Sequence, residues 1–277
     1  RTDQARQRDV KFISASEPDY VLSPQECRHS TLYMEKRAVQ GEPTVFSETF
    51  EYTSCGEWHN LRAEDVLPYD TTTALYKEYT AEREKHIVFS PRLRELAAKL
   101  TAGETNPYLK AKRIFRWIND HFPWASAREY STIENIPEYV LDNRHGDCGQ
   151  VSLLFITLCR ISGIPAHFQS GFMMHPRAWN LHDWAEVYFE GVGWVPVDQS
   201  FGIPAFARNA DEEYFFLGGI DSWRMIVNTD YGMPLVPEKK YPRSETVDFQ
   251  RGEVEWEGGN LYFPQWSYHM DIDYLNY

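Results

Sequence analysis

Cys148 is the residue whose surroundings most clearly suggest chemistry. It lies in the segment Asn143-Arg-His-Gly-Asp-Cys-Gly-Gln150, which leads directly into the apolar run 151–161. This pattern predicts that a loop turns into a helix at the cysteine. The first amides of a helix have no internal partner and carry partial positive charge, so we expect the thiol to have a lowered pKa and to form a reactive thiolate.

His182 and Asp198 are candidate partners for such a thiol. A nucleophilic cysteine needs a base to take its proton, and the base needs a third group to orient it. His182 opens one strand-like segment, 181–189, and Asp198 closes the next, 193–198. A hairpin would bring both side chains to one end of a sheet. They share a face only if the connection around Gly191 has an odd length or contains a bulge, because side chains alternate along a strand.

A metal site is an alternative interpretation of these residues. His145, Cys148 and His182 could be imagined as ligands, but the short paired spacing of a structural zinc site is absent from the sequence. The pattern of a calcium-binding loop is absent as well. We therefore expect the protein to use neither a metal nor another cofactor.

The other cysteines are dispersed along the chain. Cys27 and Cys55 could pair in an exported protein, or both could be free thiols, and the sequence leaves both possibilities open. Cys159 lies inside an apolar run and is expected to be a small core residue.

The overall composition limits the possible partners. The 277 residues include 28 basic and 41 acidic side chains, a formal net charge of −13, so nucleic acid and anionic membranes are poor partners. No apolar run approaches the roughly 20 residues of a membrane span. The first residue is Arg1, so either a leader was removed, which suggests export to the periplasm or the cell exterior, or none was included.

Hydrophobic spacing and turn residues predict helices followed by strands. Helices are expected to begin at Ser90-Pro91, Asn106-Pro107, Ile136 and Cys148. Strands are expected at 166–172, 183–189 and 194–198. Residues 30–53 contain two further strand-like runs. We therefore predict an α+β protein in which residues 1–85 form an N-terminal β extension and residues 86–277 form a catalytic domain.

Four motifs then carry a family resemblance. They are Gly146-Asp-Cys148, Leu158-Cys-Arg-x-x-Gly-Ile-Pro165, His182-Asp-Trp-Ala-Glu-Val-Tyr188 and Gly193-Trp-Val-Pro-Val-Asp198. In this order they resemble the transglutaminase-like superfamily, in particular bacterial members with a papain-like core. The resemblance covers about residues 85–230. It departs from the family at Asp183, where the His-x-Trp pattern commonly has alanine, and we expect the Asp183 side chain to point away from the His182 face.

The resemblance implies a papain-like core with a nucleophile helix packed on an antiparallel sheet, and a Cys148, His182, Asp198 triad. It also implies acyl transfer at a peptide or carboxamide bond of a peptide, protein or glycopeptide substrate. Hydrolysis is favoured over protein-glutamine cross-linking because no device for an amine acceptor is visible. A third possibility is a peptide- or carbohydrate-binding module without activity. By analogy, a side-chain donor should help the backbone N–H of Cys148 to bind the oxyanion, and Trp124 is the candidate.

Overall fold

Capping residues set the start of each helix that surrounds the site. The computed structural model describes residues 6–126, 128–205, 207–262 and 264–275. Ser90, Asn106 and Asn135 each accept a hydrogen bond from a first-turn amide, and a proline follows each of them in the first turn. The described helices are α1 (Ala74–Tyr79), α2 (Pro91–Leu100), α3 (Pro107–His121), α4 (Ile136–Asn143), α5 (Cys148–Ile161) and α6 (Ala210–Glu213), with 3-10 turns at Ala63–Asp65 and Tyr130–Thr132.

The described strands form one four-stranded antiparallel sheet and four two-stranded ones. The strands are β1 (Gln7–Ala15), β2 (Tyr20–Leu22), β3 (Leu32–Met34), β4 (Glu48–Ser54), β5 (Glu57–Trp58), β6 (Ala166–His175), β7 (Ala178–Phe189), β8 (Gly193–Val197), β9 (Gly219–Ile220), β10 (Arg224–Thr229), β11 (Val254–Trp256) and β12 (Gly259–Leu261). The central sheet has the order β10-β6-β7-β8, and the pairs are β1-β4, β2-β3, β5-β9 and β11-β12. The strands expected at 166–172, 183–189 and 194–198 are β6, β7 and β8.

The hairpin between β7 and β8 has a three-residue connection. Phe189 pairs with Gly193, and Ala185 pairs with Val197. In this register Asp198 is opposite Trp184, two residues from His182. The connection therefore has the odd length that places His182 and Asp198 on one face of the sheet.

Helix α5 packs against the other face of β7. Ala185, Val187 and Phe189 point to that side and are fully buried in the same core as the α5 residues Leu154 and Leu158. The helix is apolar around nearly its whole circumference because α2, α3 and α4 also contact it. This packing fixes the N-terminal end of α5, where Cys148 lies, beside the central sheet. The α+β fold with a helix on an antiparallel sheet is thus confirmed.

The first residues of the described chain cover the face of the sheet that bears His182. Arg6 donates to Gln169 at 2.9 Å and forms an ion pair with buried Glu186. The Gln7 side chain bonds both backbone groups of Ile226, at 2.8 and 3.0 Å. Whether residues 1–85 are a separate unit stays a prediction, and residues 1–5, 276 and 277 lie outside the described residues.

Two further features concern the setting of the protein. Cys27, Cys55, Cys148 and Cys159 are all free thiols, so Cys27 and Cys55 do not form a disulfide in this structure. None of the described helices has both the length and the apolar character needed to cross a membrane.

Candidate active site

Cys148 is the first residue of α5, where the sequence predicted the change from loop to helix. Asp147 caps the helix: its carboxylate accepts from the backbone N–H of Gln150 at 3.0 Å, and the Gln150 side chain accepts from the Asp147 N–H at 3.2 Å. This reciprocal pair satisfies two of the amides that a helix start leaves free. It also directs the Gln150 side chain back to Asp147, which leaves the thiol as the reactive group of this turn.

The thiol makes its hydrogen bond with a carboxyl group. Cys148 Sγ lies 3.6 Å from Asp183 Oδ2, and no hydrogen bond joins it to the His182 ring. Burial, followed by the charges of Asp183 and Asp147, raises the pKa of Cys148 well above its usual value, against a smaller opposing effect of the Asp183 backbone N–H. The direction of the pKa shift is therefore opposite to the lowering expected from the helix start, because burial and the neighbouring carboxylates disfavour the thiolate.

Asp183 is buried, with 2% of its surface exposed, and is held from the far side. The Gln250 amide donates to Asp183 Oδ1 at 2.6 Å and to the backbone carbonyl of His182 at 3.0 Å. Burial raises the pKa of Asp183 well above its usual value, and the carboxylates of Asp248 and Asp147 add to the effect. The thiol thus faces a carboxyl group whose protonated form is favoured.

Asp147 and Tyr130 complete these surroundings. The Tyr130 hydroxyl donates to Asp147 Oδ1 at 2.6 Å. Burial raises the pKa of Asp147 to about 6, although the bonds from Tyr130 and the Gln150 N–H act in the opposite direction. We call Asp147, Asp183, Asp248 and Tyr130 the acidic cluster.

His182 and Asp198 form a direct hydrogen bond. His182 Nε2 lies 2.8 Å from Asp198 Oδ2, and the Arg224 guanidinium reaches the same oxygen at 2.7 Å. The second oxygen, Oδ1, accepts from the backbone N–H groups of Ser200 and Phe201, at 3.2 and 3.3 Å. Burial alone would raise the pKa of Asp198, but His182 and Arg224 outweigh it and lower the pKa to about 2. We call His182, Asp198 and Arg224 the ion-paired cluster.

The two clusters meet at β7. His182 and Asp183 are consecutive in an unbroken stretch of the β6-β7 ladder, so their side chains leave the strand on opposite faces, as expected from the sequence. The thiol lies next to the Asp183 backbone as well as its carboxyl group, one residue from His182. With Nε2 bonded to Asp198, the His182 ring has Nδ1 left for another partner, and Nδ1 bonds no described residue.

Trp124 lies on the open side of the site. Its backbone pairs with Gly146, two residues before Cys148, and 62% of its surface is exposed. A cavity of about 180 Å³ lies next to it, lined in part by Gly146, Gln199 and Ser200. The indole is therefore exposed near the start of α5, whereas Cys148, His182 and Asp198 do not line this cavity.

The described residues contain no group of three or more His, Cys, Asp or Glu side chains arranged to hold a metal ion. His182 instead forms a hydrogen bond with Asp198, and Cys148 forms one with Asp183. The site as described therefore offers acid–base and nucleophilic groups.

Sequence reasoning missed three residues that shape the site. Arg224 begins β10 and is 3% exposed, so a charge at the start of the apolar run Met-Ile-Val was a signal that it needs a buried partner. Gln250 and Tyr130 gave no comparable signal. Gln250 is 67 residues from Asp183, and Tyr130 is 17 residues from Asp147, in segments without a regular pattern.

Comparison with known protein families finds a match for the part of the chain that contains the site. The sequence model of the transglutaminase-like superfamily matches residues 94–199, from within α2 to the residue after Asp198. We call residues 94–199, which this model matches, the transglutaminase-like core. Cys148, His182 and Asp198 all fall inside it.

Relatives of the transglutaminase-like core include two larger bacterial proteins. The uncharacterized protein YebA of Bacillus subtilis is 26% identical over 140 residues, which cover 43% of this chain and 19% of YebA. A protein-glutamine gamma-glutamyltransferase of Pseudomonas aeruginosa is 23% identical over 125 residues, which cover 41% of this chain and 19% of that protein. The chain thus matches about a fifth of the length of each relative.

The fold of the transglutaminase-like core also occurs in a solved structure. A Cytophaga hutchinsonii protein, provisionally named a cysteine protease, superposes with a TM-score of 0.54 at 18% identity, over 82% of this chain and 72% of that one. At this identity the likeness shows the fold alone. The superposition reaches beyond residues 94–199 and so includes elements outside the core.

Proposed function

We propose that the protein is a cysteine-dependent acyl-transfer enzyme that hydrolyses a peptide or carboxamide bond. Cys148 is the nucleophile, His182 is the general base and acid, and Asp198 orients the imidazole. The observation that carries the proposal is the 2.8 Å bond between His182 Nε2 and the buried Asp198 carboxylate, which fixes the ring with Nδ1 available. The position of Cys148 at the start of α5, where its thiol contacts Asp183, the residue after His182, supports the same assignment.

The proposed reaction proceeds in two halves. Nδ1 of His182 takes the thiol proton while Sγ attacks the carbonyl carbon, and the imidazolium then gives the proton to the leaving nitrogen as the C–N bond breaks. A water molecule next gives a proton to His182 and attacks the thioester, releasing the carboxylic acid and restoring the thiol. Asp198 stabilises the imidazolium in both halves of the reaction. Its bond to Arg224 and its complete burial hold the carboxylate in place.

This chemistry requires the thiol to change its partner. In the structure Sγ bonds Asp183 Oδ2, so it has to turn from Asp183 to Nδ1 of His182 before it reacts. The His182 side chain leaves β7 on the face opposite Asp183, so in this change of partner the sulfur passes the Asp183 backbone, which lies beside it.

For the oxyanion, we propose the backbone N–H of Cys148 and the indole N–H of Trp124 as donors. The helix start directs the first N–H groups outward, and the exposed Trp124 side chain lies beside Gly146. The cavity next to Trp124 gives the substrate a place to enter.

Turnover of a fluorogenic peptide-amide library tests the proposal, with mass spectrometry of the acyl-enzyme at Cys148. Cys148→Ala should abolish both turnover and the covalent adduct, whereas Cys55→Ser, which removes another free thiol, should retain them. Undiminished turnover by folded Cys148→Ala would contradict the assignment.

Transamidation is the second candidate, because one relative is named a protein-glutamine gamma-glutamyltransferase. Here an amine replaces water in the second half of the reaction. Incorporation of a fluorescent primary amine into a glutamine-containing protein, lost in Cys148→Ala, would favour cross-linking.

Peptide or glycan binding that survives in Cys148→Ala, without turnover of any amide by the parent, would favour a binding module. The proposed location outside the cytoplasm is tested separately by cell fractionation.

A further inference from the structure

We propose that Asp183 is a positioning residue that shares a single proton with Cys148 and so opposes ionisation of the thiol in the resting enzyme. The proposal rests on the proposed function in one respect, since it concerns the ionisation of the thiol that we assign as the nucleophile. It adds a control on that thiol which the Cys148, His182, Asp198 triad does not contain.

The contact between the two groups is held from both sides. Gln250 donates to Asp183 Oδ1 at 2.6 Å, which turns Oδ2 toward Sγ at 3.6 Å. The first turn of α5 closes on the other side. A Cβ placed on Gly149 would lie 2.7 Å from Asp183 Oδ2 and would also meet the Tyr130 hydroxyl. The carboxyl group is therefore packed closely against the first turn of α5 on one side and held by Gln250 on the other.

The charges that face this contact are all acidic. Asp147 comes from the cap of α5, Asp248 from the segment before β11, and Asp198 from the end of β8. Tyr130 also contributes an ionisable hydroxyl from its 3-10 turn. No ion pair to Asp183 occurs among the described residues. The acidic cluster therefore opposes a second negative charge at the contact between Cys148 and Asp183.

The nearest basic groups on the packed elements are occupied elsewhere. Arg224 bonds Asp198 at 2.7 Å and Asp221 at 2.6 Å, and the His182 ring bonds Asp198. Behind Asp248, Arg251 pairs with Glu245 at 3.0 Å. None of these side chains neutralises Asp183 directly.

Two acidic groups in contact at a buried site titrate as a pair and hold one proton between them over a wide pH range. In one form the thiol is neutral and the carboxylate is charged. In the other the proton has moved from sulfur to Oδ2, which leaves a thiolate beside a neutral carboxylic acid. Both forms carry one negative charge, and loss of the second proton is opposed by the whole acidic cluster. In the resting pair the thiolate therefore forms only while Asp183 holds the proton, until His182 takes it in the reaction.

The test is the pH dependence of Cys148 alkylation by iodoacetamide, followed by peptide mass spectrometry. Asp183→Asn keeps the shape of the side chain and removes its charge. We expect it to lower the midpoint of the alkylation profile by at least about one pH unit, and so to raise the rate at pH 6.5 at least about tenfold. Cys27 and Cys55, which are partly exposed in the same molecule, serve as internal references whose rates should not change.

Two further variants separate charge from access. Asp183→Glu restores the charge and should return the midpoint toward that of the parent. Asp183→Asn combined with His182→Ala should keep the lowered midpoint, because Asp183 acts on the thiol without the imidazole. The limiting rate at high pH reports access to the sulfur, and the midpoint reports its ionisation.

An unchanged or raised alkylation midpoint in folded Asp183→Asn would overturn the proposal. A midpoint that falls as far in Asp183→Glu as in Asp183→Asn would overturn it as well. If Asp183→Asn does not fold, the parent protein decides: a Cys148 midpoint at or below those of Cys27 and Cys55 overturns the proposal. Alkylation needs no turnover, so the outcome is distinct from that of the proposed function. An inactive Cys148→Ala together with no shift in Asp183→Asn would remove this proposal alone.

Discussion

The acidic cluster and the ion-paired cluster shift the pKa values of two buried aspartates in opposite directions. Asp183 and Asp198 are 2% and 0% exposed, and both belong to the hairpin of β7 and β8 or its end. Asp183 faces a thiol and other carboxylates, so its protonated form is favoured. Asp198 faces His182 and Arg224, which lower its pKa to about 2 and keep it ionised.

The difference shows that burial does not decide the charge of a carboxyl group. Removal from water raises the pKa of both side chains, and at Asp198 contact with His182 and with the Arg224 cation reverses the effect. Arg224 supplies that cation to Asp198, whereas Gln250 supplies Asp183 with a neutral hydrogen bond. An ionised aspartate can stabilise an imidazolium, and one that shares a proton with a thiol can oppose its ionisation. The two clusters thus provide different functions from the same residue type.

The largest expected effect follows from removing the charge of Asp198. Asp198→Asn should lower kcat/KM for the amide substrate by about 10³-fold or more, because the imidazole loses the group that selects its tautomer and stabilises its charged form. Asp183→Asn should not cause a comparable loss, since it removes a restraint on the thiol. Kinetics of both variants on one substrate check the contrast, and a loss below about tenfold in Asp198→Asn would contradict it.

The next effect concerns stability. Arg224→Met should lower the free energy of unfolding by about 3–5 kcal/mol, because it leaves the buried Asp198 charge without its guanidinium partner. Urea denaturation at pH 7 measures the change. Arg208→Met is the matched control: its ion pair with Glu212 involves an arginine that is 85% exposed, so no comparable loss is expected. Similar losses in both variants would remove the special role of Arg224.

A smaller, pH-dependent effect should come from Asp183. Its pKa is raised on folding, so the folded state holds a proton that the unfolded state releases, and stability is lost as the pH rises through the folded pKa. Asp183→Asn abolishes this loss. Its advantage in unfolding free energy over the parent should therefore be greater at pH 8 than at pH 5, as measured by urea denaturation.

The difference between variant and parent is the quantity to follow at each pH. Burial lowers the pKa of His29 and of His86 to about 4, so these side chains destabilise the protein as the pH falls below about 6.5, opposite to Asp183. They contribute equally to both proteins and cancel in the difference. A difference that stays constant from pH 5 to pH 8 would show that Asp183 does not titrate in this way.

The smallest effect separates the two roles of Asp147, which caps α5 and belongs to the acidic cluster. Asp147→Ala should cost about 1 kcal/mol at pH 7 because the first turn loses its cap. Asp147→Asn keeps a capping oxygen and removes a charge, so it should cost less than Asp147→Ala in the same thermal or urea denaturation. Equal costs would mean that the charge matters more than the cap.

Local signals explain which parts of the fold could be predicted from the sequence. Ser90-Pro91 and Asn106-Pro107 carry both a cap and a first-turn proline, and α2 and α3 begin there. The apolar run after Cys148 likewise predicted α5. The start of each of these helices depends on residues within a few positions of one another, so the local sequence is enough to predict it.

The surroundings of the thiol depend on contacts that no local pattern contains. Asp183 is 35 residues from Cys148, and Gln250 reaches the site from a segment that has no helix or strand. The helix start alone predicted a lowered thiol pKa, whereas the tertiary contacts raise it. The positions of candidate residues were therefore predictable, but the charge balance around them was not.

The three-residue turn between β7 and β8 has a consequence for sequence variation. Each residue added to or removed from residues 190–192 shifts β8 by one position against β7, and an odd shift sends Asp198 to the opposite face unless a bulge compensates. Changes by two residues keep the face. Insertions and deletions in relatives with the same hairpin should therefore come in even numbers, which makes the length of this turn a simple marker for chains that retain the His–Asp pair.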